Sequence, residues 1–360
     1  MKIYKEKLNK NILFPFFIFM LISLISVFSA SNILNNNTIF IKQIIWYILG
    51  ILIILFITKI NNYSILKYYK LLYIIGNLLL LLLLLFAKPI NNSKCWFNIL
   101  GITIQPSEFM KIILIITNSI VIRNNIKNKE YIIILKVFIL TLIPSILTFL
   151  EPDTGMVIIY FIISFIMLYL SNINSKWFSI TFLFIILFIS IFLSLYFYNS
   201  NLFINIFGTK FFYRIDRLLD WKNGVGIQLS NALISIGSSG LFGFGFNNTP
   251  IYFPEPSTDF IFSVYASNYG FIGILLLLIT IVYFDINIIK IGIKSRKKVN
   301  KLLISGILPM IIYQQVQNIG MNIGLLPITG ITLPFISYGG SSLLSYMIVL
   351  GIVLNIDREK

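Results

Sequence analysis

Stretch after stretch of this chain, each about 20 residues long, runs almost without a charged side chain, and a run of that length is what an α-helix needs to cross the hydrocarbon core of a bilayer. No water-soluble core could absorb so many of them. Of 360 residues 58% are apolar and 11% are charged, with a mean hydropathy of +0.92, whereas a soluble domain carries roughly a quarter charged residues. Window hydropathy places helices near 12–30, 43–60, 65–87, 107–123, 130–150, 155–171, 177–198, 259–284, 302–324 and 340–356. The expectation is an all-α polytopic membrane protein of about ten transmembrane helices, one membrane domain over 1–360. The first 30 residues resemble a signal peptide, with four lysines before an apolar run, but the run is long and more spans follow, so a retained first helix is expected.

The net charge of +16 does not point to nucleic acid, because the Lys and Arg residues sit in short loops between apolar spans rather than on one face. They mark topology. Loops carrying Arg123, Lys127 and Lys129, or Lys290, Lys294, Arg296, Lys297, Lys298 and Lys301, alternate with loops poor in positive charge, and the N-terminal side gathers most of the basic residues. That side is expected to be cytoplasmic, with both termini on it. Segment 199–258, between helices 7 and 8, is then a large extracytoplasmic loop, too polar to span and rich in Gly, Asn, Pro and aromatics.

The chain has no histidine and one cysteine, Cys95, so it offers neither an intrachain disulfide nor a Cys/His metal set, and proton transfer must use carboxylate, Lys or Tyr. A carboxylate near hydrocarbon is costly enough to demand a reason. Glu108, Glu151, Asp153, Asp216, Asp220, Glu255 and Asp259 all map to the outer side, while Glu6, Glu130, Asp285, Asp357 and Glu359 fall in tails or by cytoplasmic loops. Gln105-Pro106-Ser107-Glu108 reads as a helix start, with Lys111 three residues on and on the same face, so a Glu-Lys pair toward a polar cavity competes with simple capping. Glu151-Pro152-Asp153-Thr154-Gly155 breaks the chain between two spans, and Asp153 there is a cap or a site residue. Asp259 stands at the edge of a long apolar helix, where desolvation should raise its pKa toward the range of a base; the competing reading is again an N-cap. Arg214 and Arg217 lie three apart and suit a pyrophosphate or a carboxylate, or are solvated loop charges. Two runs, 237–245 and 329–342, are rich in Gly and match no nucleotide fingerprint; the second, with Pro327, Pro334 and Ser337, reads as a broken segment lining a cavity.

In this order the motifs resemble the shape, elongation, division and sporulation family, the RodA/FtsW type of cell-wall polymerase. The residues that carry the resemblance are the Trp96 segment, Gln-Pro-Ser-Glu with Lys111, Pro-Asp-x-Gly at 152–155, the Arg217 region, Gly240–Gly245, Thr258-Asp259-Phe260 and Leu-Pro-Phe-Ile-Ser-Tyr-Gly-Gly-Ser-Ser ending at Ser342. The resemblance implies a peptidoglycan glycosyltransferase that polymerises lipid II outside the cytoplasmic membrane, with Asp259 as catalytic base. It implies substrate contacts from Lys111, Glu108, Arg214, Arg217, Asp153 and Ser337, a divalent cation (Mg or Mn) as a candidate cofactor, and a class B penicillin-binding transpeptidase as partner beside membrane lipids. A lipid II flippase and a non-catalytic scaffold for the transpeptidase are the rival readings. The chain departs from the family pattern where Gln-Pro-Asp-Leu-Gly is replaced by 151–155, where a usual acidic pair is replaced by Ser267 and Asn268, and where Cys95 replaces an Arg before the Trp.

Overall fold

The computed structural model describes residues 9–60, 62–89, 94–99, 102–126, 129–209, 212 and 226–359. Where no water reaches the backbone, each amide must find its partner inside its own segment, and the apolar runs accordingly fold as helices. They are α1 (Lys10–Ile33), α2 (Thr38–Lys59), α3 (Asn62–Lys67), α4 (Tyr69–Phe86), α5 (Pro106–Asn125), α6 (Glu130–Leu150), α7 (Thr154–Tyr169), α8 (Ser175–Tyr198), α9 (Ser200–Phe207), α10 (Ile227–Ser238), α11 (Ile261–Lys294), α12 (Lys298–Asn322) and α13 (Gly340–Arg358). Each of the ten expected spans coincides with one of these helices. Among the described residues seven, α1, α2, α4, α6, α11, α12 and α13, are long and apolar enough to cross a membrane. Helix α5 carries Glu108, Lys111 and Arg123, and α7 has 16 residues, so neither reads as a simple span. The chain is a multi-pass, helical membrane protein. Segment 199–258 holds α9 and α10, and its Arg214, Asp216, Arg217 and Asp220 lie outside the described residues.

Burial runs opposite to a soluble protein. Helices α2 and α4 turn leucines and isoleucines outward (Leu52, Leu55, Leu78, Leu82, Leu85), as a lipid-facing surface should. The interior holds the small and polar residues that let helices approach and bond. Asn118 of α5 donates to Ser164 of α7 at 2.9 Å, and Thr141 of α6 meets the same hydroxyl at 2.6 Å, tying three helices at one point. Helix α5 is central, packing on α4, α6, α7, α12 and α13; α2 packs on α13 and α1 on α11. A two-stranded antiparallel hairpin, β1 (Phe97–Ile99) with β2 (Ile102–Ile104), delivers the chain to Pro106 at the first turn of α5, where a missing N–H costs nothing.

Helix α11 is broken. Gly270 has φ 60° and ψ −159°, which ends the helical ladder and frees backbone groups on either side. The loop after α10 takes them up: Phe244 and Gly245 donate to the carbonyls of Ser267 and Asn268, and Phe271 and Ile272 donate to those of Gly240 and Leu241, at 2.9–3.1 Å. Asn268 adds a side-chain bridge, donating to Ser29 of α1 at 2.7 Å and accepting from Thr249 at 2.9 Å. Asn268 is therefore a neutral clamp between α1, α11 and the loop. A methyl group at Gly270 would lie 2.7 Å from the backbone carbonyl group of Leu241 and would force a side chain into left-handed φ. Gly270→Ala is expected to cost about 3 kcal/mol, read as a lowered thermal unfolding midpoint in detergent. Gly237→Ala, at an open helical position, should leave the midpoint unchanged or raise it. Equal midpoints for the two variants would refute a constrained break.

Candidate active site

Four stretches far apart in sequence meet around one cavity of about 540 Å³. The hairpin and the first turn of α5 supply Trp96, Thr103, Gln105 and Glu108; the α6–α7 turn supplies Pro152 and Asp153. The turn before α11 supplies Glu255, Thr258 and Asp259, and the non-helical segment between α12 and α13 supplies Thr329–Thr332 and Tyr338–Ser342. Four of these side chains are acidic, and no Lys or Arg is among the described lining residues.

Asp259 is half-buried on the cavity wall, in a turn closed by the Phe260 N–H to the Glu255 carbonyl at 3.2 Å. It does not cap α11: the cap position is Phe260, and no cap-residue side chain bonds the first turn. Gly330, at φ +72°, faces the Asp259 carboxylate, and even a methyl there would sit 3.8 Å from Oδ2. Burial, and next the charge of Glu255, raise the Asp259 carboxyl to about 7. Glu255, itself at φ 52°, is exposed and accepts from the Thr258 hydroxyl at 3.0 Å.

Asp153 does cap its helix. Its Oδ1 accepts from the Met156 N–H at 3.1 Å, and its Oδ2 accepts from Gln105 at 2.8 Å and from the Ser107 hydroxyl at 3.2 Å. Burial raises it to about 6 and the Glu108 charge adds to that, against the lowering effect of those hydrogen bonds. Glu151, at the end of α6, is fully buried, and among the described residues neither carboxylate oxygen has a hydrogen-bond partner. Burial, then the charge of Asp153, raises it to about 8. The backbone carbonyl of Glu151 accepts from the Cys95 thiol at 2.9 Å, which docks the hairpin on the α6–α7 turn.

The Glu108–Lys111 pair forms as its spacing suggests, at 2.5 Å, but its members are placed differently. Glu108 reaches the cavity wall, and Ser345 donates to it at 3.4 Å. Lys111 is fully buried beneath, its Nζ 4.3 Å from the Tyr346 ring centre, and does not line the cavity. Ser337 also lies behind the wall: its hydroxyl donates to the Thr258 carbonyl at 2.7 Å and accepts from the Leu333 N–H at 2.9 Å, fastening the 329–342 segment to the Asp259 turn. Arg214 and Arg217 fall outside the described residues.

Sequence reasoning missed Asn318 and Asn322. Both are fully buried on α12 and both donate to the backbone carbonyl of Asp259, at 3.0 and 2.9 Å. The available signal was a polar stripe, Gln314, Asn318 and Asn322, at four-residue spacing inside an apolar helix.

The model of the FtsW/RodA/SpoVE cell cycle proteins matches residues 8–360. A probable peptidoglycan glycosyltransferase FtsW of Buchnera aphidicola subsp. Schizaphis graminum is 34% identical over 337 residues, covering 89% of this chain and 91% of that one. Stage V sporulation protein E of Bacillus subtilis is 30% identical over 371 residues, covering 94% and 93%. The crystal structure of the rod shape determining protein RodA of Thermus thermophilus superposes with a TM-score of 0.72 at 22% identity, covering 98% of both chains. A chain of a peptidoglycan synthase complex that coordinates polymerization and crosslinking superposes with a TM-score of 0.80 at 22% identity, also over 98% of both chains. With the match running almost end to end, the chain belongs to the FtsW/RodA/SpoVE family of cell cycle proteins.

Proposed function

We propose that this protein is a peptidoglycan glycosyltransferase that polymerises lipid II into glycan strands at the outer face of the cytoplasmic membrane. The observation that carries the reading is Asp259, a half-buried carboxylate raised to about 7, standing free of any capping role on the wall of a cavity large enough for sugar rings. In the reaction the acceptor hydroxyl oxygen bonds to the anomeric carbon of the donor, the bond from that carbon to the lipid pyrophosphate breaks, and the hydroxyl proton passes to Asp259. The leaving group carries away the bonding electrons as an anion. The described lining offers it no cation, which supports Arg214 and Arg217 as its holders from the loop that contains them. Among the described residues no three metal-ligating side chains come together, and the bond and proton changes above balance without a magnesium or manganese ion.

Orientation follows from charge. Helix α11 starts beside Asp259 and ends, 34 residues later, at Lys290, Lys294, Arg296, Lys297 and Lys298. The unbroken stretch from Phe271 to Lys294 is about 36 Å long at about 1.5 Å per residue, enough to cross the hydrocarbon core, and the basic end marks the cytoplasm. The cavity then opens outside and both termini are cytoplasmic, which requires an even number of crossings. A class B penicillin-binding transpeptidase is the proposed partner, a reading supported by the likeness to a chain of a synthase that couples polymerization to crosslinking.

The test is polymer formation from labelled lipid II by the purified chain in vesicles, with and without the transpeptidase. A base is competent only when deprotonated, so with a carboxyl raised to about 7 the rate should climb tenfold per pH unit below about 7 and level off above it. Lipid II crossing the vesicle without polymer would replace this reading by the flippase, and neither activity would favour the scaffold.

A further inference from the structure

The first turn of a helix leaves N–H groups that a capping side chain normally accepts. At the start of α11 the residue in the cap position is Phe260, which has no acceptor, and the neighbouring residue that could swing in to serve is Asp259. It is not needed. The Ser263 N–H, the third of the helix, donates to Oδ1 of Asn322 at 3.2 Å, and the Ser263 hydroxyl donates to the same oxygen at 2.6 Å. The other end of that amide, Nδ2, donates to the Asp259 carbonyl at 2.9 Å. Asn322 thus stands between Asp259 and Ser263, the two groups that an uninterrupted helix would have joined directly.

Asn318, one turn earlier on α12, donates both to the Asp259 carbonyl at 3.0 Å and to the Ile331 carbonyl at 2.7 Å. Ile331 follows Gly330, where an added methyl would lie in van der Waals contact with the Asp259 carboxylate, 3.8 Å from Oδ2. One amide therefore sets the distance between the two walls, while the other serves the helix end. Both are fully buried, so neither touches substrate.

We propose that Asn322 and Asn318 are positioning residues for the base: Asn322 caps α11 from a second helix so that the Asp259 carboxylate stays out of the cap and in the cavity, and Asn318 fixes the gap to the facing segment. This rests on the polymerase reading above. It makes α12, which contributes no side chain to the cavity, the element that aims the reacting group.

The full chain, reconstituted in vesicles with its transpeptidase partner, is assayed with lipid II. Asn322→Asp keeps the acceptor for Ser263 but replaces the donor to Asp259, and is expected to lower kcat by about 10- to 100-fold with KM unchanged, the effect of a misdirected catalytic group. Ser263→Ala, a milder change that removes one anchor of the amide, is expected to lower kcat by about threefold, again with KM unchanged. In an Asp259→Asn background neither substitution should lower the residual rate further, because both act through that carboxylate. Wild-type kcat for Asn322→Asp, or a loss that persists undiminished in the Asp259→Asn background, overturns the proposal; misfolding of Asn322→Asp leaves Ser263→Ala to decide it by the same criteria. Undiminished polymerisation by Asp259→Asn alone would instead overturn the base assignment on which it rests.

Discussion

Asp259→Asn is expected to lower the rate of strand formation from lipid II by about 10²- to 10⁴-fold, the usual contribution of a general base, while leaving lipid II binding and the unfolding midpoint near those of the parent. The second half of that expectation separates chemistry from folding. A carboxyl raised to about 7 is one whose charge the folded site disfavours relative to water, so an uncharged amide of the same shape removes no favourable charge interaction. The other acids of the cavity are bound otherwise. Both oxygens of Asp153 are engaged, by Met156 on one side and by Gln105 and Ser107 on the other, so Asp153→Asn should disturb the start of α7 and lower stability as well as rate. Glu255 is exposed and tied to Thr258. Wild-type polymerisation by Asp259→Asn would remove the base from the mechanism, and an equal loss of rate in Asp259→Asn and Asp153→Asn would mean that charge, not proton transfer, is what the cavity supplies.

How much of this was legible beforehand depends on the range of the interaction concerned. Helices follow from local apolarity, and each expected span has its helix. The Glu108–Lys111 pair was legible because three residues on a helix is a contact distance, and Asp153 because a cap is read within four residues. The break at Gly270 was invisible to hydropathy, since a window centred there is as apolar as its neighbours; the cause is a loop some thirty residues upstream that offers backbone partners. The same holds for Asn322, whose value lies in reaching Ser263, 59 residues away. Ser337 stood in a recognised motif, but only the fold reveals that its hydroxyl is spent on the Thr258 carbonyl. Sequence marks groups that need partners, whereas the identity of a distant partner belongs to the packing.

The buried pair leads to the other large effect, and its asymmetry is what makes it testable. Removing one partner of a buried ion pair strands a charge and costs about 3–5 kcal/mol, while replacing both by neutral groups of similar size costs far less. Glu108→Gln leaves the Lys111 ammonium fully buried without its counter-charge, over the Tyr346 ring at 4.3 Å, and should show that full loss as a lowered unfolding midpoint. Lys111→Met leaves a carboxylate that still reaches the cavity and the Ser345 hydroxyl, so it should be the milder of the two. The double variant Glu108→Gln with Lys111→Met should be more stable than Glu108→Gln alone, since it removes the stranded ammonium. Additive losses in the double variant would mean that the two residues contribute independently, and the 2.5 Å pair would then be a contact without coupling. If the coupling is found, the pair ties the α5 wall of the cavity to α13, whose Ser345 and Tyr346 hold its two ends.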